Sequence, residues 1–501
     1  MKKLLIISFL IIASLPTFAQ YEESSAVFRV LTSSTAKFGD YNQDGYLDIV
    51  SSGWDVAEKK RYAILYENNN GKDFSINTQT SLKGVNDVTP NNAAWGDLNN
   101  DNQIDLIIAG QDGGQRTATI YVGSGQRLLN FATLTGVFAS SVSWTDYNGD
   151  GWQDILITGI NTKHVDVSEI FQNNQGGSFA PSSVKLEGVF DGTSVWGDMD
   201  KDGDADLLVT GKSAHGQLVS LVYENLGNGI FKNLELNLVP LRRASAAWGD
   251  YDNDGYLDFL ISGFNVKEHP TTQLYHNNGN KTFSPVKTII TDLSSSAIAW
   301  GDVDNNGELD VLVSGEDVNH TKSTKVYLNN KGNFTDANYG IIGIDMGGMD
   351  LGDMNNDGKL DMIVTGQNQE FKGVTKLYLN KCSKTNTAPN SPEGLTVKKE
   401  GNQITLSWQE AADAGDADTQ TPSKALTYNI RIGTKSNGTE VVSPLADLKT
   451  GKRFVVEMGN VGHTTSYTIT LPKGTYYWSV QTIDNGYMGS NFSTEQTFTV
   501  E

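Results

Sequence analysis

The string GDYDNDGYLD, Gly249 to Asp258, places four aspartates and two glycines in ten residues. Six more stretches follow the same plan, D-x-[DN]-x-[DN]-G-x-x-D. Counted from the first aspartate, side-chain oxygens fall at positions 1, 3, 5 and 9, and position 7 offers its backbone carbonyl. The first stretch supplies Asp40, Asn42, Asp44, Tyr46 and Asp48, and the second Asp97, Asn99, Asp101, Gln103 and Asp105. The third supplies Asp146, Asn148, Asp150, Trp152 and Asp154, and the fourth Asp198, Asp200, Asp202, Asp204 and Asp206. The fifth has Asp250, Asp252, Asp254, Tyr256 and Asp258, and the sixth Asp302, Asp304, Asn306, Glu308 and Asp310. The seventh has Asp353, Asn355, Asp357, Lys359 and Asp361.

Oxygens at this spacing form a cage for a hard divalent cation, and glycine at position 6 permits the sharp turn. Without a cation such carboxylates repel one another; Ca²⁺ reverses the sign of that interaction. Asp/Asn/Gly turns are common between strands, but seven in register, each keeping the ninth-position aspartate, are not ordinary turns. Position 12 holds Ser51, Ile108, Ile157, Val209, Ile261, Val313 or Val364, never the bidentate glutamate of an EF-hand. About seven Ca²⁺ are expected, one per repeat. By charge count the fourth and fifth loops bind most tightly. The second is weakest, because Asn102 stands where glycine is wanted, although asparagine tolerates the left-handed conformation.

The repeats begin at Asp40, Asp97, Asp146, Asp198, Asp250, Asp302 and Asp353, a period near 50 residues, which means a propeller or a solenoid. Each aspartate string follows a short apolar stretch (SAAWGD, SAIAWGD) and precedes a β-rich run ending in glycine (LDFLISG, LDVLVSG). A polar loop, a third strand and a weaker fourth strand near a phenylalanine complete the unit. Four strands per unit predict propeller blades and an all-β fold. The seventh unit ends near Lys381 without its fourth strand, so residues Val27 to Val30 are expected to complete it and close the ring.

WGDYDNDGYLDFLISG resembles the FG-GAP (VCBS-type) repeat of integrin α-subunit propellers and of many secreted bacterial proteins. The resemblance covers residues from about 21 to 383. It implies a seven-bladed β-propeller with calcium loops on one face and partner binding mainly on the other. Thr145 replaces the usual glycine before the third loop, and Leu351 the usual aromatic before the seventh.

Residues 384–395 are polar, hold two prolines and read as a linker. Residues 396–501 show strand patterns and resemble a fibronectin type III module. Trp408 is placed like its core tryptophan, and Tyr476 or Tyr477 like its corner tyrosine, although any immunoglobulin-like sandwich shares the pattern.

Residues 1–19 read as a secretory signal peptide, with two lysines, an apolar run and small residues near Ala19. That run is too short for a membrane span, and no other segment is apolar enough, so an exported soluble monomer without a transmembrane segment is expected. Exterior and periplasm both fit. A net charge of −21 argues against nucleic acid and anionic membranes as partners. With Cys382 the only cysteine, there is no disulfide framework.

The sequence has no nucleophile elbow, no HExxH and no suitably placed cysteine nucleophile, so a non-enzyme is expected. The leading reading is a calcium-binding adhesion or binding module for protein or glycan. A polysaccharide-binding or lyase-like propeller is the alternative. The loops opposite the aspartate strings carry His164, His215, His269 and His320 at matching places. They also carry Trp54, Lys59, Lys60, Arg61, Arg116, Lys163, Lys212, Lys267, Lys322, Lys325 and Lys372. This rim is the expected partner face, suited to an acidic glycan or an acidic protein patch.

Overall fold

A computed structural model describes residues 20–501 other than residue 228. Seven antiparallel blades stand around one axis, with blades 2, 3 and 4 joined in one continuous sheet. The first blade runs Thr32–Gly39, Asp48–Asp55, Lys60–Asn68 and Phe74–Ile76 from inside to outside. The same order recurs to the seventh blade, with inner strand Asp345–Gly352 and then Asp361–Gln367 and Gly373–Asn380. One long strand, Leu128–Thr145, serves twice, as the outer strand of blade 2 and the inner strand of blade 3. The ring closes where the inner strand of blade 1 meets blade 7, with Ser34 Oγ 2.9 Å from Thr365 Oγ1 on the second strand of blade 7 in the buried interior. The fold is a seven-bladed β-propeller followed by a β-sandwich.

The tryptophan–glycine pairs of the repeat explain how the blades fit. A Cβ on Gly96 would lie 2.5 Å from the Trp144 ring, and one on Gly249 2.9 Å from the Trp300 ring. Glycine at the end of one inner strand is the seat for the next blade's aromatic. Trp144 and Trp300 also donate across the blade boundary, to the carbonyls of Ala94 (3.2 Å) and Ala247 (3.3 Å). In blade 7 the place is filled by Leu351, which packs on Gly301.

The strand that completes blade 7 is Tyr21–Glu23, paired with Tyr378–Asn380, and not Val27–Val30. Tyr21 is buried, donates to the Leu360 carbonyl (2.9 Å) and meets Tyr339 edge-on. The residues after it cross from the outer edge of blade 7 to the innermost strand of blade 1. They therefore cannot lie along either sheet. Phe28 drops onto Tyr66 and Phe74 of blade 1, and Val27 and Val30 face solvent. The proposed signal segment lies outside the described residues.

The C-terminal part is two three-stranded sheets. One holds Thr396–Glu400, Gln403–Ser407 and Ser466–Thr470, the other Thr427–Gly433, Gly474–Ile483 and Gln496–Val500. They enclose a core of Trp408, Tyr428, Ile430, Trp478 and Phe498. Of the two corner tyrosines weighed, Tyr476 is the buried one and donates to the Pro472 carbonyl (2.9 Å). The connection from Thr434 to Thr465 holds no named strand and serves another purpose, described below. Among the described residues no helix is long and apolar enough to cross a membrane.

Candidate cation loops

Every aspartate string lies between the first and second strands of its blade, at one end of the ring. Each turns twice through the left-handed region. Position 4 does so at Gln43, Asn100, Gly149, Lys201, Asn253, Asn305 and Asn356, and position 6 at glycine or, in the second loop, at Asn102 (φ 64°). The expectation that asparagine would tolerate position 6 is met.

The fifth loop shows what the aspartates do to the backbone. Asp250 accepts from the amides of Asp254 (3.0 Å) and Gly255 (2.8 Å), which folds the turn over its carboxylate. Asp258 accepts from the amides of Asn277 (2.6 Å) and Tyr251 (3.2 Å), tying the loop to the third strand. Burial is the first cause of a raised pKa in these groups. It pushes Asp250 up to about 8 and Asp258 to about 9, and neighbouring aspartates add to the shift. Asp48 rises to about 9, Asp154 to about 8 and Asp361 to about 8 for the same reason. Such carboxylates call for a counter-charge at neutral pH.

Three carboxylates come within 4.8 Å of one another in the fourth loop (Asp198, Asp200, Asp206), the fifth (Asp250, Asp252, Asp254) and the sixth (Asp302, Asp304, Asp310). In loops 1, 2, 3 and 7 asparagine holds position 3, so an amide oxygen replaces that carboxylate and three aspartates remain, at positions 1, 5 and 9. Buried oxygens without a hydrogen-bond partner remain on Asp154 (Oδ2), Asp252 (Oδ1), Asp304 (Oδ1) and Asp357 (Oδ1). Asp200 Oδ2 has Lys281 Nζ at 2.6 Å but no hydrogen bond of good geometry. An unpartnered buried carboxylate oxygen is costly, and a divalent cation satisfies it. The loops fit a hard cation held by oxygens, with positions 1, 3, 5 and 9 as the side-chain donors.

Two sets of asparagines that the sequence reading passed over knit the loops together. At position 4, Asn100 donates to the Gly151 carbonyl (2.9 Å), Asn305 to Gly358 (2.9 Å) and Asn356 to Gly45 (3.0 Å), each on the next blade. On the third strand, Asn277 donates to the carbonyls of Leu257 (3.0 Å) and, on the preceding blade, Met199 (2.8 Å). Asn68, Asn173, Asn225, Asn329 and Asn380 do the same in their repeats. The signal was present as a recurring asparagine after a tyrosine or phenylalanine.

The sandwich sits on this face. Asp40 and Asp302 donate their amides to the carbonyls of Phe454 (2.9 Å) and Asn485 (3.0 Å). Thr439 donates to the Asn100 carbonyl (2.9 Å), and Asn102 to that of Ala446 (2.9 Å). Lys452 reaches Gly45 and Asn356, and Tyr487 the Trp300 carbonyl (2.8 Å). A cavity of about 510 Å³ lies between the inner strands and the sandwich, with Lys37, Asp350, Arg453, Glu457 and His463 on its wall. The linker is anchored as well, since Asn386 bonds to the Gly358 carbonyl (3.0 Å) and to Asp484 (2.9 Å).

On the opposite rim the four histidines fall at the hairpin tips. His164 and His320 occupy the left-handed position itself, and His215 and His269 lie one residue to either side of it. The rim cations are more often paired than their number suggests. Arg242, which the sequence reading omitted, meets Glu268, and Lys372 lies 2.6 Å from Glu370. Two expected rim residues are not rim residues. Lys322 has a buried side chain 2.8 Å from Asp345, and Lys325 lies within its strand, 2.6 Å from Asp336. Their partners draw them off the loop, Lys322 to the inner strand of blade 7 and Lys325 to the outer strand of its own blade. In blade 1 cations also stack on aromatics: Arg61 lies 4.8 Å from the Trp54 ring, and Lys60 lies 5.0 Å from that of Tyr62, as does Arg29 at 3.8 Å while paired with Asp55 (2.7 Å) and Glu58 (2.9 Å).

Among curated proteins, the chain is 25% identical over 283 residues to the T-cell immunomodulatory protein of Rattus norvegicus, and 25% identical over 281 residues to that of Homo sapiens. In both cases 53% of this chain and 43% of the relative are covered, so the chain spans less than half the length of the curated relatives it matches. Among solved structures, the BP39L lectin from Burkholderia pseudomallei aligns with a TM-score of 0.46 and 11% identity, over 72% of this chain and 98% of that one. The family described as FG-GAP-like repeat matches residues 40–108, 97–157, 146–209, 198–261 and 265–313, which take in six of the seven aspartate loops. Those spans cover more than half of the chain and coincide with the blades and loops seen in the fold: the chain belongs to the FG-GAP-like repeat family.

Proposed function

We propose that the protein is an exported calcium-loaded propeller that acts as a binding module, holding a protein or glycan on the rim opposite the aspartate loops. The sandwich over the loop face carries this reading, because it leaves the other rim as the open face of the ring. The unpartnered carboxylate oxygens support calcium, about one ion per blade. Calcium here is structural: it cancels the buried charge, fixes the loops and so fixes the platform on which the sandwich rests. Its sites lie on the covered face, away from the partner. The C-terminal part is a fibronectin type III-like domain in this reading, on the strength of Trp408 and Tyr476.

Within the open rim, blade 1 offers the best-built patch. Arg61 and Lys60 are held over the rings of Trp54 and Tyr62, an arrangement that fixes two cations for an acidic group. The test is charge reversal of Lys60, Arg61, Lys163 and Lys267 to Glu in calcium-saturated protein, read by capture from the native envelope and on a glycan array. Loss of capture with an unchanged melting curve supports the rim. Unchanged capture refutes it. Turnover of an acidic polysaccharide by the wild-type protein would favour the lyase-like alternative.

A further inference from the structure

Four of the six histidines are on the open rim; the other two both face the fifth aspartate loop. His276 sits on the third strand of blade 5, immediately before Asn277, and its Nδ1 lies 3.2 Å from Asp258 Oδ1 and 3.3 Å from Asp252 Oδ2. That nitrogen is buried and makes no hydrogen bond of good geometry, and Asp252 Oδ1 is buried and unpartnered beside it. His463, from the sandwich, brings Nε2 to 4.0 Å from Asp250 Oδ2 on the same loop. The equivalents of His276 in the other blades are Glu67, Val122, Gln172, Glu224, Leu328 and Leu379, so an imidazole at this place occurs in blade 5 alone.

We propose that the fifth loop is a mixed nitrogen–oxygen site that takes a borderline divalent ion such as Zn²⁺, with His276, Asp252 and Asp258 as ligands. Imidazole suits zinc and its neighbours, whereas Ca²⁺ prefers oxygen alone. The three donor atoms lie within 4.8 Å of one another. The two nitrogen–oxygen separations match the edge of a tetrahedron with bonds near 2.1 Å, which is about 3.4 Å. The remaining donors are at hand in Asp250 and Asp254, which form the second cluster of the same loop. The inference rests on the loops being cation sites; it makes one of them chemically unlike the rest.

The experiment titrates Zn²⁺, and Co²⁺ as a spectroscopic probe, into full-length calcium-saturated protein, with bound calcium counted in parallel. The background is a variant with His164, His215, His269 and His320 replaced by Ala, which silences the rim. One zinc equivalent is expected, with a visible Co²⁺ band of nitrogen ligation. His276→Leu, the residue of blades 6 and 7, should weaken zinc at least about tenfold and remove the band while the other calcium ions stay. If His276→Leu does not fold, His276→Gln, which matches Gln172 of blade 3, serves instead. Zinc binding unaltered by the substitution overturns the proposal. So does a rise in calcium affinity without zinc binding in the wild type, since His276⁺ would then be only a built-in counter-charge. Absence of all bound calcium would refute the cation reading of the loops themselves.

Discussion

Asn305 Nδ2 lies 2.9 Å from the Gly358 carbonyl of the next blade and 3.2 Å from the Lys384 carbonyl at the start of the linker. One side chain thus joins the sixth loop, the seventh loop and the path to the sandwich. It is buried and sits at φ 54°. Asn305→Ala should cost about 2–3 kcal/mol, since it removes two buried hydrogen bonds and strains a left-handed residue. Asn305→Gly removes the same bonds without the strain and should cost about 1 kcal/mol less. Equal losses in chemical denaturation would show that the backbone conformation contributes nothing.

Metal removal should be the largest single perturbation. Dialysed protein is expected to carry about seven calcium ions, and fewer than three would refute the reading of the loops. Chelation should lower the melting temperature by more than about ten degrees, through lost ligand linkage and restored repulsion. Because the sandwich rests on the loops, EDTA should also speed proteolysis within residues 384–395. Superimposable melts with calcium and with EDTA would contradict both.

Lys281 qualifies the ranking of loops by charge. Its Nζ lies 2.6 Å from Asp200 Oδ2 and also contacts Glu224. A fixed ammonium at a ligand oxygen opposes a cation there, so Lys281→Met should raise calcium affinity at the fourth loop several-fold. Calorimetry with the remaining loops saturated reads the change; a loss of affinity would mean that Lys281 instead positions Asp200.

The buried pair Lys322–Asp345 (2.8 Å) is structural. Lys322→Met leaves Asp345 buried and uncompensated, and about 3–5 kcal/mol of stability should be lost. The double variant Lys322→Met with Asp345→Leu should recover most of it. Partner capture should be unaffected by the double variant, because neither group reaches the rim surface.

Asp87, between blades 1 and 2, is buried and its pKa is pushed up to about 7 by desolvation. Between pH 4 and 7 the folded chain therefore holds a proton that the unfolded chain releases. The stability this confers is complete below pH 4 and is lost as pH rises through 7. Ser140 Oγ donates to Asp87 Oδ2, 2.6 Å away. Asp87→Asn keeps an acceptor oxygen there and removes the titratable proton at every pH. In calcium-saturated buffer the variant should gain about 3 kcal/mol on the wild type between pH 5 and pH 8. Parallel stability curves would show a carboxylate ionised throughout.

The repeat, the strand count and the aspartate loops were legible in the sequence because each is a local pattern. Turn chemistry, alternation and glycine position lie within a dozen residues, and recurrence multiplies the signal. The inner-strand glycines were legible as letters, but their reason was not: the atom that fills Gly96's missing side chain belongs to Trp144, one blade on. The closing strand was placed in the right terminus but at Val27–Val30 rather than Tyr21–Glu23, since no local pattern tells how many residues a chain spends crossing a blade. The docking of the sandwich on the loops, the pairing of Arg242 with Glu268 and the approach of His276 to Asp252 and Asp258 depend on residues apart in sequence. Sequence by itself determined which turns gather carboxylates. Only the tertiary structure decided which face they occupy, what covers it and which loop receives a nitrogen, because those are relations between backbones that meet only after the ring has closed.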